Sequence, residues 1–189
     1  MLLALHKPFD VLSQFTKEHP THRTLSEFGF PPDVYPIGRL DRDSEGLILL
    51  SDEPKWNDRL LNPRHAHPRT YHAQVDGAVS DQALRKLCSG VNLKEFRTLP
   101  CQAQRLDTDP DHPPRDPPIR FRKNIPTSWI ELTLTEGKNR QVRRMTAAVG
   151  FPTLRLVRVS IGGLKLADLG LQPGQWRELS AAEQQRVLS

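Results

Sequence analysis

Cysteine is scarce. Only Cys88 and Cys101 occur, in no CxxC pair and at no spacing that suits metal ligands. That excludes a disulfide-stapled scaffold and leaves two free thiols, as expected in a reducing compartment. Long apolar runs are missing too: none approaches the roughly 18 residues of a membrane helix. The apolar start, Met1 to Leu5, is far too short for a secretory signal. A cytoplasmic protein, neither inserted in nor attached to a membrane, is therefore expected. No internal repeat and no cofactor motif is present. The seven histidines include His65 and His67, but their spacing lacks a matching second pair, so a surface loop explains them better than a metal. Acidic excess is also absent. The chain has 27 Lys and Arg against 22 Asp and Glu, a net charge of +5, and a sequence pI of about 9.5. Such a balance favours a polyanionic partner, nucleic acid being the commonest. At 189 residues there is room for one domain with a good core, or for two small lobes sharing one.

What is present centres on Ile37 to Leu50. An acidic and basic cluster, Arg39 to Glu45, stands directly before the apolar run Leu47–Leu50, which is bounded by Gly46 and Ser51. A short continuous apolar run reads as a buried strand. The charged cluster then sits on a loop delivered by the core, where rigid scaffolds display reactive side chains. Charge alone favours a solvated, self-paired turn, and the rest of the sequence changes that weighting.

Around this stretch the pattern is that of an α+β protein with a mostly antiparallel sheet and a few helices. Met1–Lys7 reads as a strand ended by Pro8. Thr24–Phe28 suits one helical turn and Val34–Ile37 a short strand. A helix is expected from about Pro54 to Leu61, burying Trp56, Leu60 and Leu61. Thr70–Asp76 alternates as a half-buried strand. Ser80 caps a helix over 81–89, with Gly90 as terminator. Strands follow at 99–106, 128–134 and 153–161. Prolines 110, 113, 114, 117 and 118 exclude regular structure from 107–118. A helix spans 139–149, and another closes the chain near 180–188.

The densest basic segment is Glu136 to Met145. On a helix, Val142, Met145 and Val149 form a core stripe, while Arg140, Arg143 and Arg144 share a different face. The bland interpretation is a solvated basic face. The functional one is a phosphate-contacting helix that also offers an arginine to a carboxylate, a planar and often bidentate pairing that keeps the carboxylate ionised.

Four ordered motifs together resemble the RsuA/RluE branch of the pseudouridine synthases. Gly38-Arg39-Leu40-Asp41-Arg42-Asp43-Ser44-Glu45-Gly46-Leu47 resembles that family's catalytic-aspartate motif. Lys7-Pro8 is similar to its first motif, Tyr71 within Thr70–Val75 to its second, and Arg140-Gln141-Val142-Arg143-Arg144-Met145 to its third. The stretch Pro117–Trp129 resembles in particular the members acting on large-subunit ribosomal RNA. The resemblance implies two mixed α/β lobes sharing a mainly antiparallel sheet with a central cleft, the first lobe at 1–66 and the second at 67–189. The C-terminal strands are left able to cross back into the first lobe. Lys7-Pro8 comes almost at once, so no room is expected for an N-terminal S4 domain, and the catalytic body must supply the RNA contacts.

The same resemblance implies isomerisation of uridine to pseudouridine in ribosomal RNA, with no cofactor and no metal, by a monomer. Asp41 would act on the ribose of a flipped-out uridine, as nucleophile at C1′ or as base at C2′. Asp43 is its internal competitor, and motif position favours Asp41. Tyr71 would stack on the base, Arg143 would pair with Asp41, and Arg39 would hold the flipped-out RNA. Arg120, Arg122, Lys123, Lys138, Arg140 and Arg144 are the expected phosphate contacts. Two other classes compete. A non-catalytic ribosome-assembly protein needs only the basic charge. A glycosidase or nucleosidase needs a second carboxylate, Asp43 or Glu45, and would release free base.

Overall fold

The computed structural model describes residues 1–120 and 124–189. The described chain forms two compact units: Met1–His67 with Val157–Ser189, and Pro68–Leu156. In chain order the elements of the first unit are β1 (Leu2–Lys7), β2 (Val11–Leu12), β3 (Arg23–Thr24), β4 (Tyr35–Pro36), β5 (Glu45–Ser51) and α1 (Lys55–Leu61). The second unit holds β6 (Arg69–Asp76), α2 (Asp81–Ser89), β7 (Gln102–Arg105), β8 (Thr127–Leu134), α3 (Gln141–Ala148) and the first residues of β9 (Thr153–Ile161). The rest of β9, then β10 (Leu164–Lys165), β11 (Trp176–Glu178) and α4 (Ala181–Val187), belongs to the first unit. The strands make an α+β, mainly antiparallel sheet arrangement.

In the first unit the strand order is β11-β1-β5-β9, with β4 on β5 and β10 on β9. Every residue of β1 and β5 is buried. Strands covered on both faces read as continuous apolar runs rather than alternating ones, which is why Leu2–Leu5 and Leu47–Leu50 lack alternation. Ala4 and Leu49 face each other across the ladder and join Leu2, Leu47, Trp56 and Leu60 in one core. Leu3, Leu5, Ile48 and Leu50 are buried as well. The β5–β9 pair is parallel, Gly46 standing beside Arg158. Gly46 has φ +107°, and a Cβ there would come within 2.3 Å of the Arg158 carbonyl oxygen. Only glycine permits that approach.

One expectation fails in α1. Leu61 is 41% exposed. The helix buries Trp56 and Leu60 at i and i+4, and Leu61 lies about 100° round from that stripe. Pro54 is also the cap of this helix rather than part of its first turn.

In the second unit the order is β7-β8-β6, with β9 on the far side of β6. Alternation sorts the faces. Ala73, Val75, Ile130, Leu132 and Leu134 point into a core shared with Ala83 and Leu87 of α2 and Val142 and Met145 of α3. The Ser80 hydroxyl accepts the Ala83 N–H at 3.2 Å, capping α2 as the sequence pattern requires. The opposite face carries His72 and Glu131, a cross-strand pair. The proline-rich segment 107–118 lies on it. His112 Nε2 is 3.0 Å from His72 Nδ1, and its ring sits 5.5 Å from that of Trp129. The buried Arg155 donates to the Pro113 carbonyl at 2.7 Å.

Candidate active site

Asp41 lies on the connection between β4 and β5, in the first unit. Gly38, with φ +72°, turns the chain, and the side chain of Leu61 packs where a Cβ on Gly38 would stand. Asp41 then begins a tight turn closed by the Ser44 N–H donating to the Asp41 carbonyl at 3.0 Å. Its side chain is half-buried, and Arg39 on the same loop is exposed.

The backbone is held on both sides of Asp41. On one side the Ser13 hydroxyl donates to the Leu40 carbonyl at 2.7 Å and accepts the Leu40 N–H at 3.0 Å. On the other, the Arg42 carbonyl accepts from the Asp10 N–H at 2.9 Å and from the Lys7 ammonium at 3.4 Å. The Arg42 side chain bonds the Asp10 carboxylate at 2.5 Å. Within the charged stretch, Arg42 pairs with a residue outside it.

Lys7 is the unusual group of this unit. It is 0% exposed, at the end of a buried strand. Besides Arg42 it donates to the carbonyls of Val11 at 2.7 Å and Pro8 at 2.9 Å. Burial pushes its pKa down to about 7, against the pull of Glu45, Asp43, Asp41 and Asp10. Lys7 thus lies within electrostatic reach of four carboxylates on and beside the Asp41 turn.

The second unit carries the other expected site residues. Tyr71 stands on β6 opposite Leu132, half-buried against the unit's core. Arg143 is half-buried on α3, and its guanidinium donates to the Thr153 carbonyl at 3.4 Å. The helix begins two residues later than its period suggests, because Arg140 adopts a left-handed conformation (φ +48°) as its cap. Gly137 accordingly lies in the approach to the helix, where the Lys138 N–H is taken by the Gln141 side chain at 3.0 Å. Lys138 and Arg144 come together over the ring of Phe96, at 5.9 and 5.4 Å from its centre. Arg144 also pairs with Glu95. Arg120 is exposed beyond the proline-rich segment. Arg122 and Lys123 lie outside the described residues. Among the described residues no group of three or more His, Cys, Asp or Glu side chains could hold a metal ion, and no helix is long and apolar enough to cross a membrane.

The family described as RNA pseudouridylate synthase matches residues 1–148. The chain belongs to that family. It is 56% identical over 178 residues to the ribosomal large subunit pseudouridine synthase E of Xanthomonas campestris pv. campestris, covering 94% of each chain. To the synthase of the same description from Vibrio parahaemolyticus it is 51% identical over 178 residues, 94% of this chain and 73% of the relative. A crystal structure of a pseudouridylate synthase superposes with a TM-score of 0.81 at 26% identity, over 98% of this chain and 73% of that one.

In this pseudouridylate synthase, sequence reasoning quoted Lys7 as part of a motif but assigned it no task. Asp10, Ser13 and Phe96 went unnoticed. A lysine ending an apolar run was the one available signal for Lys7. Ser13 acts on the backbone of a residue 27 positions away and Asp10 on the backbone and side chain of one 32 positions away, and nothing in their neighbourhood marks them.

Proposed function

We propose that this chain isomerises uridine to pseudouridine in large-subunit ribosomal RNA, with Asp41 as the catalytic group. The relatives named as ribosomal large subunit pseudouridine synthases support the substrate and the reaction. What supports Asp41 most is the restraint of its neighbours Leu40 and Arg42 by bonds from Ser13, Asp10 and Lys7. Chemistry that depends on sub-ångström placement needs a side chain on a fixed backbone.

The reaction breaks the C1′–N1 bond, turns the base and joins C1′ to C5; the C5 proton leaves and N1 takes up a proton in its place. No electron or group is gained or lost, so no cofactor is required. The target nucleotide leaves its stack first. The Asp41 carboxylate then acts on the ribose, as nucleophile at C1′ or as base at C2′. Arg143 is the arginine we assign as the partner of the catalytic carboxylate. Tyr71 stacks on the base, and Arg39 holds the flipped-out arrangement. Lys138, Arg140, Arg144 and Arg120 contact phosphates, as do Arg122 and Lys123. We assign the enzyme to the cytoplasm and to a monomeric state.

The test is tritium release from C5-tritiated uridine in large-subunit ribosomal RNA transcripts. The wild type releases tritium. Asp41→Asn releases none and keeps its RNA affinity. Equal release by both proteins would remove Asp41 from the chemistry. Tight binding without release by either would make the chain an assembly protein, and release of free uracil would make it a nucleosidase.

A further inference from the structure

The motif helix α3 does not stand alone in its unit. The segment Val91–Thr98, between α2 and β7, folds into a tight hairpin. Thr98 N–H donates to the Val91 carbonyl at 2.9 Å, and Leu93 N–H to the Phe96 carbonyl at 2.8 Å. The Thr98 hydroxyl accepts the Val91 N–H at 2.8 Å. Arg97 fixes the base of the hairpin through bonds to the Asn92 side chain and the Ser89 carbonyl, both at 3.1 Å. Lys94 is exposed at its tip.

Two contacts tie this hairpin to the start of α3. Phe96 lies under both Lys138 and Arg144. Glu136 accepts the Leu99 N–H at 2.7 Å and the Gln141 amide at 2.6 Å, linking the hairpin's exit to the helix's first residue. The result is one hairpin–helix unit, in which a hairpin carrying Lys94 and Arg97 is tied to the α3 start with Lys138 and Arg144 around the Phe96 ring. Its two carboxylates are turned to internal work: Glu95 on Arg144 and Glu136 on the hairpin–helix tie. Fixed cations around an aromatic ring suit the phosphodiester backbone of RNA. A membrane or an acidic peptide would not need them held at set spacings.

We propose that the hairpin Val91–Thr98 is a second RNA-binding arm, with Lys94 and Arg97 contacting backbone phosphates away from the target uridine. This rests on the reading of the substrate as ribosomal RNA. The arm adds affinity and orientation to the substrate and touches no reacting atom. Its contribution therefore lies in KM and in the salt dependence of binding.

The experiment compares wild type, K94E, K94E/R97E and the charge-matched control K55E/K165E, whose sites lie in the other unit. Each is titrated with a large-subunit ribosomal RNA transcript over a range of KCl, and tritium release is followed in parallel. Each lost phosphate contact lowers the slope of log K against log salt by about 0.7 to 0.9. K94E keeps the Arg97 bonds, and with them the hairpin, and loses about one contact. K94E/R97E loses about two, with KM raised about tenfold at moderate salt and kcat at saturating RNA kept. An unchanged slope and KM in K94E and K94E/R97E would overturn the assignment, as would an equal loss in K55E/K165E. Failure of the substrate reading looks different: the wild type itself would then neither bind nor modify any large-subunit transcript.

Discussion

Replacing Lys7 by methionine isolates what a buried ammonium does in this fold. Its pKa is pushed from the ordinary 10.5 down to about 7. Between those two values the unfolded chain binds one proton more than the folded one. Stability therefore rises with pH in that window, because the cost of burying the charge is full below about pH 7 and fades toward 10.5. The slope approaches 1.4 kcal/mol per pH unit, about 2 kcal/mol between pH 7 and pH 9. Lys7→Met fills the space without the titration, and it leaves the Pro8 and Val11 carbonyls without their donor, while the Arg42 carbonyl keeps only the Asp10 N–H. Orphaned buried acceptors cost about 1–3 kcal/mol each. Relief from the charge burial, about 5 kcal/mol from the shift, offsets most of that near pH 7. The variant is thus close to wild type in stability at pH 7 and falls behind by about 2 kcal/mol at pH 9. Urea unfolding at half-unit steps from pH 6 to 9 measures this, and other titrations cancel in the difference between the two proteins. Parallel stability curves across pH 7–9 would refute the reasoning. The loosened Arg42 anchor also predicts a loss of kcat on the order of a hundredfold, read by tritium release.

Three further outcomes follow from packing. Gly46→Ala drives a methyl into the Arg158 carbonyl at 2.3 Å, in a conformation hostile to L side chains, and lowers stability by about 3 kcal/mol or more in urea unfolding. Ser80→Ala removes the α2 cap. It costs about 1 kcal/mol by the same measurement and leaves the rate of tritium release unchanged. Arg155→Ala deletes the charged bond to the Pro113 carbonyl, and proteinase K then cuts within 107–118 about tenfold faster or more, a bond to a charged donor being worth about 1.5–3 kcal/mol. Unchanged cutting would show that His112 and Arg115 hold the segment without it.

Much of the local structure was legible in residue order. The alternation in 70–76 and 128–134 placed β6 and β8 to within a residue or so. Ser80 and Gly90 delimited α2 at Asp81–Ser89, and β9 runs over the expected Thr153–Ile161. These features depend on side-chain period and capping chemistry, which act over a few residues. Where a local departure intervened, the reading slipped: the left-handed Arg140 delays α3. The short strands β10 and β11 escaped altogether. β11 exists because Leu3, Ala4 and Leu5 offer it a ladder more than 170 residues earlier in the chain, and no pattern within three residues can announce that.

For the site, the charged loop before a buried strand was visible because reactive residues differ in type from the core that delivers them. The family motifs, Lys7-Pro8, Gly38–Leu47, Thr70–Val75 and Arg140–Met145, stood in the residue order for the same reason. What holds the loop was invisible: Lys7, Asp10 and Ser13 bind backbone carbonyls and amides, and every residue has those. The joining of Val157–Ser189 to residues 1–67 and the meeting of Phe96 with Lys138 and Arg144 were likewise decided only by folding. Residue type and spacing determined which elements and which reactive groups this protein has. Contacts between distant segments, set by strand pairing and by burial of the two cores, decided how each group is held.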